Sequence, residues 1–157
     1  MEKTAAFFEN ARLLHTAFSI APLMYGSLGL QYLTRASLDA DDIDILIPEE
    51  LLTQRWAELK VLLETHGYAL INEHEHEFVK DGLHYAYARI EELKSFASIR
   101  LPDIPRRSYE GIPFLLLTLE QYLRVYTASS RDGYRITARN KKDHDKIRLI
   151  ESLLVGS

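Results

Sequence analysis

The sequence predicts an α+β (mixed α/β) fold: a small mixed sheet flanked by helices. Three observations carry this. Apolar residues recur at helical spacing near both ends of the chain. Short apolar runs bounded by glycine, proline and acidic residues interrupt them and read as strands. Helix and strand signals alternate instead of segregating. A length of 157 residues suits a single domain, 1–157, with its C-terminal helices (about 118–155) packed on the rest.

The first element is a helix. In EKTAAFFENARLLHTAFS, Phe7, Ala11, Leu14 and Phe18 gather into one buried stripe. Pro22 follows, and the residue before a proline avoids the helical region, so PLMY is a short strand closed by Gly26-Ser27. SLGLQYLTR is then a helix with Ser27 as its N-cap. Ile43 to Ile47 form a strand. Pro48, Glu49 and Glu50 open a helix with the stripe Leu52, Trp56, Leu59 and Leu63, which Gly67 ends. YALIN is a strand. EHEFV and LHYAYARI form a hairpin turned at Asp81-Gly82. EELKSFASI adds a helical turn, and GIPFLLL is a further strand. Thr118 and Gln121 have capping-box spacing and open the helix LEQYLRVYTAS. Asn140 and Asp143 cap a last helix with the stripe Ile147, Ile150 and Leu154.

Composition narrows the function classes. Hydrophobic content of 46% and charged content of 27% are those of a soluble globular protein. A net charge of -4 speaks against a nucleic-acid-coating protein. The absence of cysteine excludes disulfides, thiolate metal sites and cysteine nucleophiles together. No apolar run has the length of a bilayer, and no basic, then apolar, leader opens the chain. A cytoplasmic location without membrane attachment is the expectation.

The stretch DADDIDILIP carries the chemistry. Asp42 and Asp44 alternate with Ile43, Ile45 and Ile47, so the two carboxylates share one strand face about 6.7 Å apart at Cα. At that range they repel by roughly 0.6 kcal/mol in water and about 2.5 kcal/mol at an effective dielectric of 20. A divalent cation reverses the sign, and Mg²⁺ favours carboxylate oxygens supplemented by phosphates and water. The competing reading is an acidic loop, holding Asp39 and Asp41, whose solvated charge runs on to Asp42 and Asp44. Upstream, Gly26-Ser27 sits at a strand-to-helix turn. There glycine admits close backbone approach and a helix start attracts phosphate.

LMYGSLGLQYLTRASLDADDIDILIP resembles the signature of the nucleotidyltransferase-fold superfamily, the DNA-polymerase-beta-like group. The resemblance rests on Gly26, Ser27, Asp42 and Asp44. The element order downstream is similar to that of small lincosamide- and aminoglycoside-type nucleotidyltransferases. It implies that Asp42 and Asp44 hold Mg²⁺, with two ions as a variant, against a nucleoside triphosphate gripped by Gly26-Ser27. A nucleoside monophosphate would then pass in line to a hydroxyl acceptor. It also implies a third carboxylate on a later strand. Here the chain departs from the pattern: LHYAYARIEEL offers none until Glu91 and Glu92, and Glu91 is the candidate. The 14 residues between Ser27 and Asp42 also form a longer interval than the pattern has.

Other polar features are less specific. His74 and His76 in EHEHE could hold a metal or simply cover a solvated hairpin. Arg131, Arg135, Arg139, Lys141, Lys142 and Lys146 form a basic stretch. It could receive triphosphate at Lys141 and Lys142, an acidic acceptor or RNA, or face solvent. Tyr122 and Tyr126 read as packing. Three functions stay open: a nucleotidyltransferase, a degenerate binding or regulatory module of toxin–antitoxin-like kind, and a plain interaction domain. A homo-oligomer completing the pocket is compatible with each.

Overall fold

The computed structural model describes residues 2–38, 40–130 and 138–156, the last segment without the side chains of 138–142. Its helices are α1 (Lys3–Phe18), α2 (Gly26–Thr34), α3 (Glu49–Leu52), α4 (Trp56–Thr65), α5 (Glu92–Ala97), α6 (Leu119–Ser130) and α7 (Ala138–Val155). Its strands are β1 (Leu23–Tyr25), β2 (Ile43–Ile47), β3 (Ala69–Asn72), β4 (Glu77–Lys80), β5 (Leu83–Arg89), β6 (Arg106–Tyr109) and β7 (Ile112–Leu115). The strands form one mixed sheet in the order β3-β4-β5-β2-β1-β7-β6. β2 runs parallel to β5 and β1 to β7, and the other neighbours are antiparallel. The fold is therefore α+β, as the alternation of signals predicts. Contacts divide the chain into two compact units, Met1–Glu91 with Pro105–Leu116, and Glu92–Ile104 with Leu117–Ser157.

The first unit holds the whole sheet and α1 to α4. Ile43, Ile45 and Ile47 are fully buried in its core with Tyr85 and Tyr87 of the neighbouring parallel strand. Burying each isoleucine contributes about 1.5–3 kcal/mol as an upper figure. α1 docks Phe7 and Phe8 edge-on against Phe114 of β7, with ring centroids 6.1 and 5.0 Å away. Asn10 of α1, wholly buried, donates to the Tyr87 hydroxyl at 2.6 Å. Burial holds that phenol's pKa well above its ordinary value. The β4–β5 hairpin turns at Asp81 and Gly82, both at positive φ (51° and 77°), as the dipeptide predicts.

Several local expectations differ. The single helix expected from Pro48 to Gly67 is broken between α3 and α4. Thr53 leaves the helical region at φ -124°, ψ -90°, and its hydroxyl donates to the Glu49 carbonyl at 2.9 Å, closing off the first turn. Ser27 is not the N-cap of α2; the helix begins at Gly26 after an extended Tyr25. β6 has no apolar alternation, and all four of its residues are exposed, so no pattern announces it.

In the second unit, Thr118 and Gln121 close the expected capping box. The Thr118 N–H donates to Gln121 Oε1 at 2.9 Å, and the Gln121 N–H to Thr118 Oγ1 at 3.1 Å. Tyr122 and Tyr126 are buried and stacked, which is packing. α7 begins at Ala138, so Asn140 lies inside it and does not cap it. Asp143 is buried and accepts from the Ser129 hydroxyl at 2.7 Å. Among the described residues no helix is long and apolar enough to cross a membrane.

Candidate functional site

β1 and β2 pair antiparallel with Tyr25 opposite Asp44, and the chain leaves β1 straight into α2 at Gly26. Gly26 sits at φ +65°, a left-handed conformation that side chains disfavour. A Cβ there would collide with Asp44 Oδ2 and lie 3.2 Å from its Cγ and 3.3 Å from its Cβ. Only a glycine lets the N-terminal end of α2 come this close to the carboxylate. The structure thus brings together Gly26 and Asp44, two residues 18 positions apart that the sequence names separately.

Asp44 is half-buried between the fully buried Ile43 and Ile45, while Asp42 is exposed in the bend just before β2. Ser27 is half-buried as the second residue of α2, beside Gly26. Asp41 is exposed and Asp39 lies outside the described residues. Mg²⁺ commonly takes one or two carboxylates and completes its shell with phosphate oxygens and water. Asp44 beside a helix start fits that donor chemistry, whereas Asp42 precedes β2 and does not share its strand face as the alternation predicts. Among the described residues no group of three histidine, aspartate or glutamate side chains gathers to hold a metal alone.

Glu91 is not brought to the aspartates. Its carboxylate accepts from the Glu49 N–H, at 3.0 Å to Oε1 and 3.2 Å to Oε2, at the start of α3. Arg89 reaches the Glu49 carboxylate at 2.7 Å beside it. The reason is register. β2 pairs in parallel with β5, Asp44 against Ala86 and Ile47 against Arg89, so Glu91 falls past the far end of β2. Asp42 stands before its near end. The rest of β2, Ile45 to Ile47, about 10 Å at the usual rise, and then Pro48 separate Asp44 from Glu49. Glu92 opens α5 in the second unit.

The pairing names residues on the Asp44 face that strand parity alone leaves open. One row across the sheet runs Tyr25, Asp44, Ala86 and Glu77. Glu77 is half-buried, two strands and about 10 Å from Asp44 at Cα, with only the Ala86 methyl between them. A sequence reader cannot find Glu77 from β5 alone, because it belongs to the strand before the hairpin turn.

The remaining candidates lie apart or outside. Lys141 and Lys142 have side chains outside the described residues, as does Arg139, and 131–137 are outside entirely. Lys146 sits over the Tyr126 ring at 5.1 Å in the second unit. His76 meets the Trp56 ring edge-on at 4.8 Å, and burial lowers its pKa, while His74 is 94% exposed at its side chain. Glu73 accepts from Lys60 at 3.0 Å and from the Trp56 indole at 3.2 Å, and the Lys60 bond lowers its pKa. In the EHEHE segment Glu73, His74 and Glu75 are thus exposed, and only His76 and Glu77 are half-buried.

With Gly26 at the β1–α2 junction set against Asp44 of β2, the sheet and its helices have the nucleotidyltransferase fold, and solved structures agree. The crystal structure of the aminoglycoside nucleotidyltransferase ANT(2'')-Ia in complex with adenylyl-2''-tobramycin superposes with a TM-score of 0.62 at 14% identity. That match covers 98% of this chain and 90% of that one. The solution structure of the antibiotic-resistance factor ANT(2'')-Ia superposes at 0.55, also at 14% identity, over 99% and 94% of the chains. No family model matches the sequence. The chain belongs to the family of the uncharacterized protein YnaI of Bacillus subtilis (strain 168), with 38% identity over 148 residues, 94% of this chain and 95% of that protein.

Proposed function

We propose that this protein binds a Mg²⁺–nucleoside triphosphate and transfers the nucleoside monophosphate to a hydroxyl acceptor. The close approach of Gly26 to Asp44 carries the reading, because it sets a phosphate-attracting helix start against a carboxylate. Asp44 and Asp42 would hold the metal, and Gly26 and Ser27 would face the phosphates. The ion, when bound, supplies charge stabilisation to the attacking and leaving oxygens. The chain's own share is to orient the triphosphate along the start of α2 and to hold Asp44 beside it on a strand fixed by buried isoleucines, with Asp42 in the bend before that strand. The adenylyl-bearing ligand of the structural neighbour supports a small-molecule hydroxyl as the acceptor class. A cytoplasmic site of action fits a nucleotide substrate.

One observation favours a second reading, nucleotide binding without turnover: the parallel partner of Asp44 is Ala86, and Glu91 is engaged at Glu49. Titration calorimetry with each nucleoside triphosphate, with and without Mg²⁺, tests the common part of both readings. Mg²⁺-dependent binding that disappears in Asp42→Ala/Asp44→Ala is expected. Binding indifferent to the metal or to the double substitution refutes the site. Release of pyrophosphate on adding hydroxyl acceptors then separates transferase from binding module.

A further inference from the structure

β6 lies at the outer end of the sheet, so among the described residues one side of its backbone has no neighbouring strand. Its pairing with β7 is regular from Arg106 opposite Leu115 to Tyr109 opposite Ile112, and all four residues are exposed. The opposite edge differs: β3 pairs with β4 through a register irregularity between Leu70 and Asn72, a feature that disrupts edge pairing. A hollow of about 470 Å³ accompanies β6, lined by His15, Arg106, Arg107, Ser108, Gly111 and Pro113. Arg106, Arg107 and Ser108 line it from β6, Gly111 from the turn, Pro113 from β7 and His15 from α1, so it lies along the β6–β7 pair. No acid lines it, and neither arginine forms an ion pair among the described residues. Asp103 and Glu110, each three residues from one of the arginines, are the nearest acids in sequence.

We propose that β6 is a docking edge for an extended acidic polypeptide segment, which adds to the sheet as a further strand with its carboxylates on Arg106 and Arg107. The backbone argues for a peptide: an open edge presents alternating N–H and C=O groups, and only another backbone supplies both acceptors and donors. A nucleic-acid backbone offers acceptors to the N–H groups but leaves the carbonyls unmatched. Charge argues for acid and against a second copy of the same edge, since two copies of β6 would set four arginines together. Arginines on an open edge repel indiscriminate partners and admit a complementary one.

The test uses the full chain and a fluorescein-labelled heptapeptide of valine and threonine with two adjacent glutamates at its centre, which set one carboxylate on each face of the added strand, read by fluorescence anisotropy. Saturable binding is expected, with affinity reduced about tenfold or more in Arg106→Glu/Arg107→Glu and by less in Arg106→Gln/Arg107→Gln. Both variants should keep the far-UV circular dichroism of the parent. A peptide N-methylated at alternate residues keeps its charge but loses its strand-forming N–H groups, and should bind about tenfold more weakly. Absence of saturable binding overturns the proposal. Equal binding of the N-methylated peptide also does so, leaving a cationic patch alone, as does displacement by single-stranded DNA as efficient as by unlabelled peptide.

Discussion

Gly26→Ala tests the junction on which the site is built. Two costs are separable in the structure. The left-handed φ of +65° costs an alanine about 1–2 kcal/mol. The added methyl also meets Asp44 Oδ2, with Cγ at 3.2 Å, so the carboxylate or the start of α2 must move. Overpacking of this kind costs roughly 1–3 kcal/mol, giving about 2–5 kcal/mol in all. With a urea slope near 2 kcal/mol/M, the unfolding midpoint should fall by about 1–2.5 M. The two costs part in a double-mutant cycle with Asp44→Ala, which removes the obstructing carboxylate and leaves the backbone strain and the 3.3 Å contact with the Cβ of residue 44. A coupling of about 1–3 kcal/mol is therefore expected. Nucleotide binding should weaken in Gly26→Ala, since the displaced group is a proposed metal ligand. Additive costs, or a single variant within about 0.5 kcal/mol of the parent, would refute the claim that glycine is needed for this contact.

Two further outcomes check other parts of the structure. Glu91→Gln should leave Mg²⁺-dependent nucleotide binding unchanged in calorimetry and lower stability in urea unfolding by about 0.5–1 kcal/mol, because the carboxylate serves the start of α3. Trp56, the single tryptophan, should report the protonation of His76, whose ring lies 4.8 Å away. Burial lowers the His76 pKa below the ordinary value of 6.5, so the folded state binds this proton less readily than the unfolded one. The contribution to stability is full above the unfolded value and is lost as pH falls toward the folded one. Quenching of Trp56 fluorescence should accordingly have its midpoint below 6.5 and vanish in His76→Gln.

The parts of the fold that sequence discloses are those where one face is buried. β2 stands where Ile43, Ile45 and Ile47 predict it, and α1 spans the stripe of Phe7, Ala11, Leu14 and Phe18. The Asp81-Gly82 turn and the Thr118–Gln121 box follow from local chemistry and appear as expected. β6 does not, since its exposed Arg106, Arg107, Ser108 and Tyr109 carry no alternation and owe their conformation to pairing with β7. The α3–α4 break is hidden because Leu52, Trp56, Leu59 and Leu63 keep helical spacing across it. For the site, Gly26 and Asp44 were legible as residue types, but their contact depends on the β1–β2 register, which no spacing prints. Glu91 has the wrong place for a similar reason: counting along one strand cannot say which residue of its neighbour stands beside Asp44.

The pairing of β1 with β7 joins Leu23 to Leu115, and α1 rests on Phe114. During synthesis the apolar stripe of the first helix therefore emerges long before the strand that covers it. The first compact unit is closed only by its discontinuous segment Pro105–Leu116, after all of Glu92–Ile104 has been made. At roughly 5–20 residues per second, the greasy face of α1 waits several seconds for its cover. Such late closure raises contact order and slows folding. The nascent chain is accordingly a natural client for chaperones near the ribosome, and truncation ahead of β7 should leave an aggregating fragment instead of a smaller working domain.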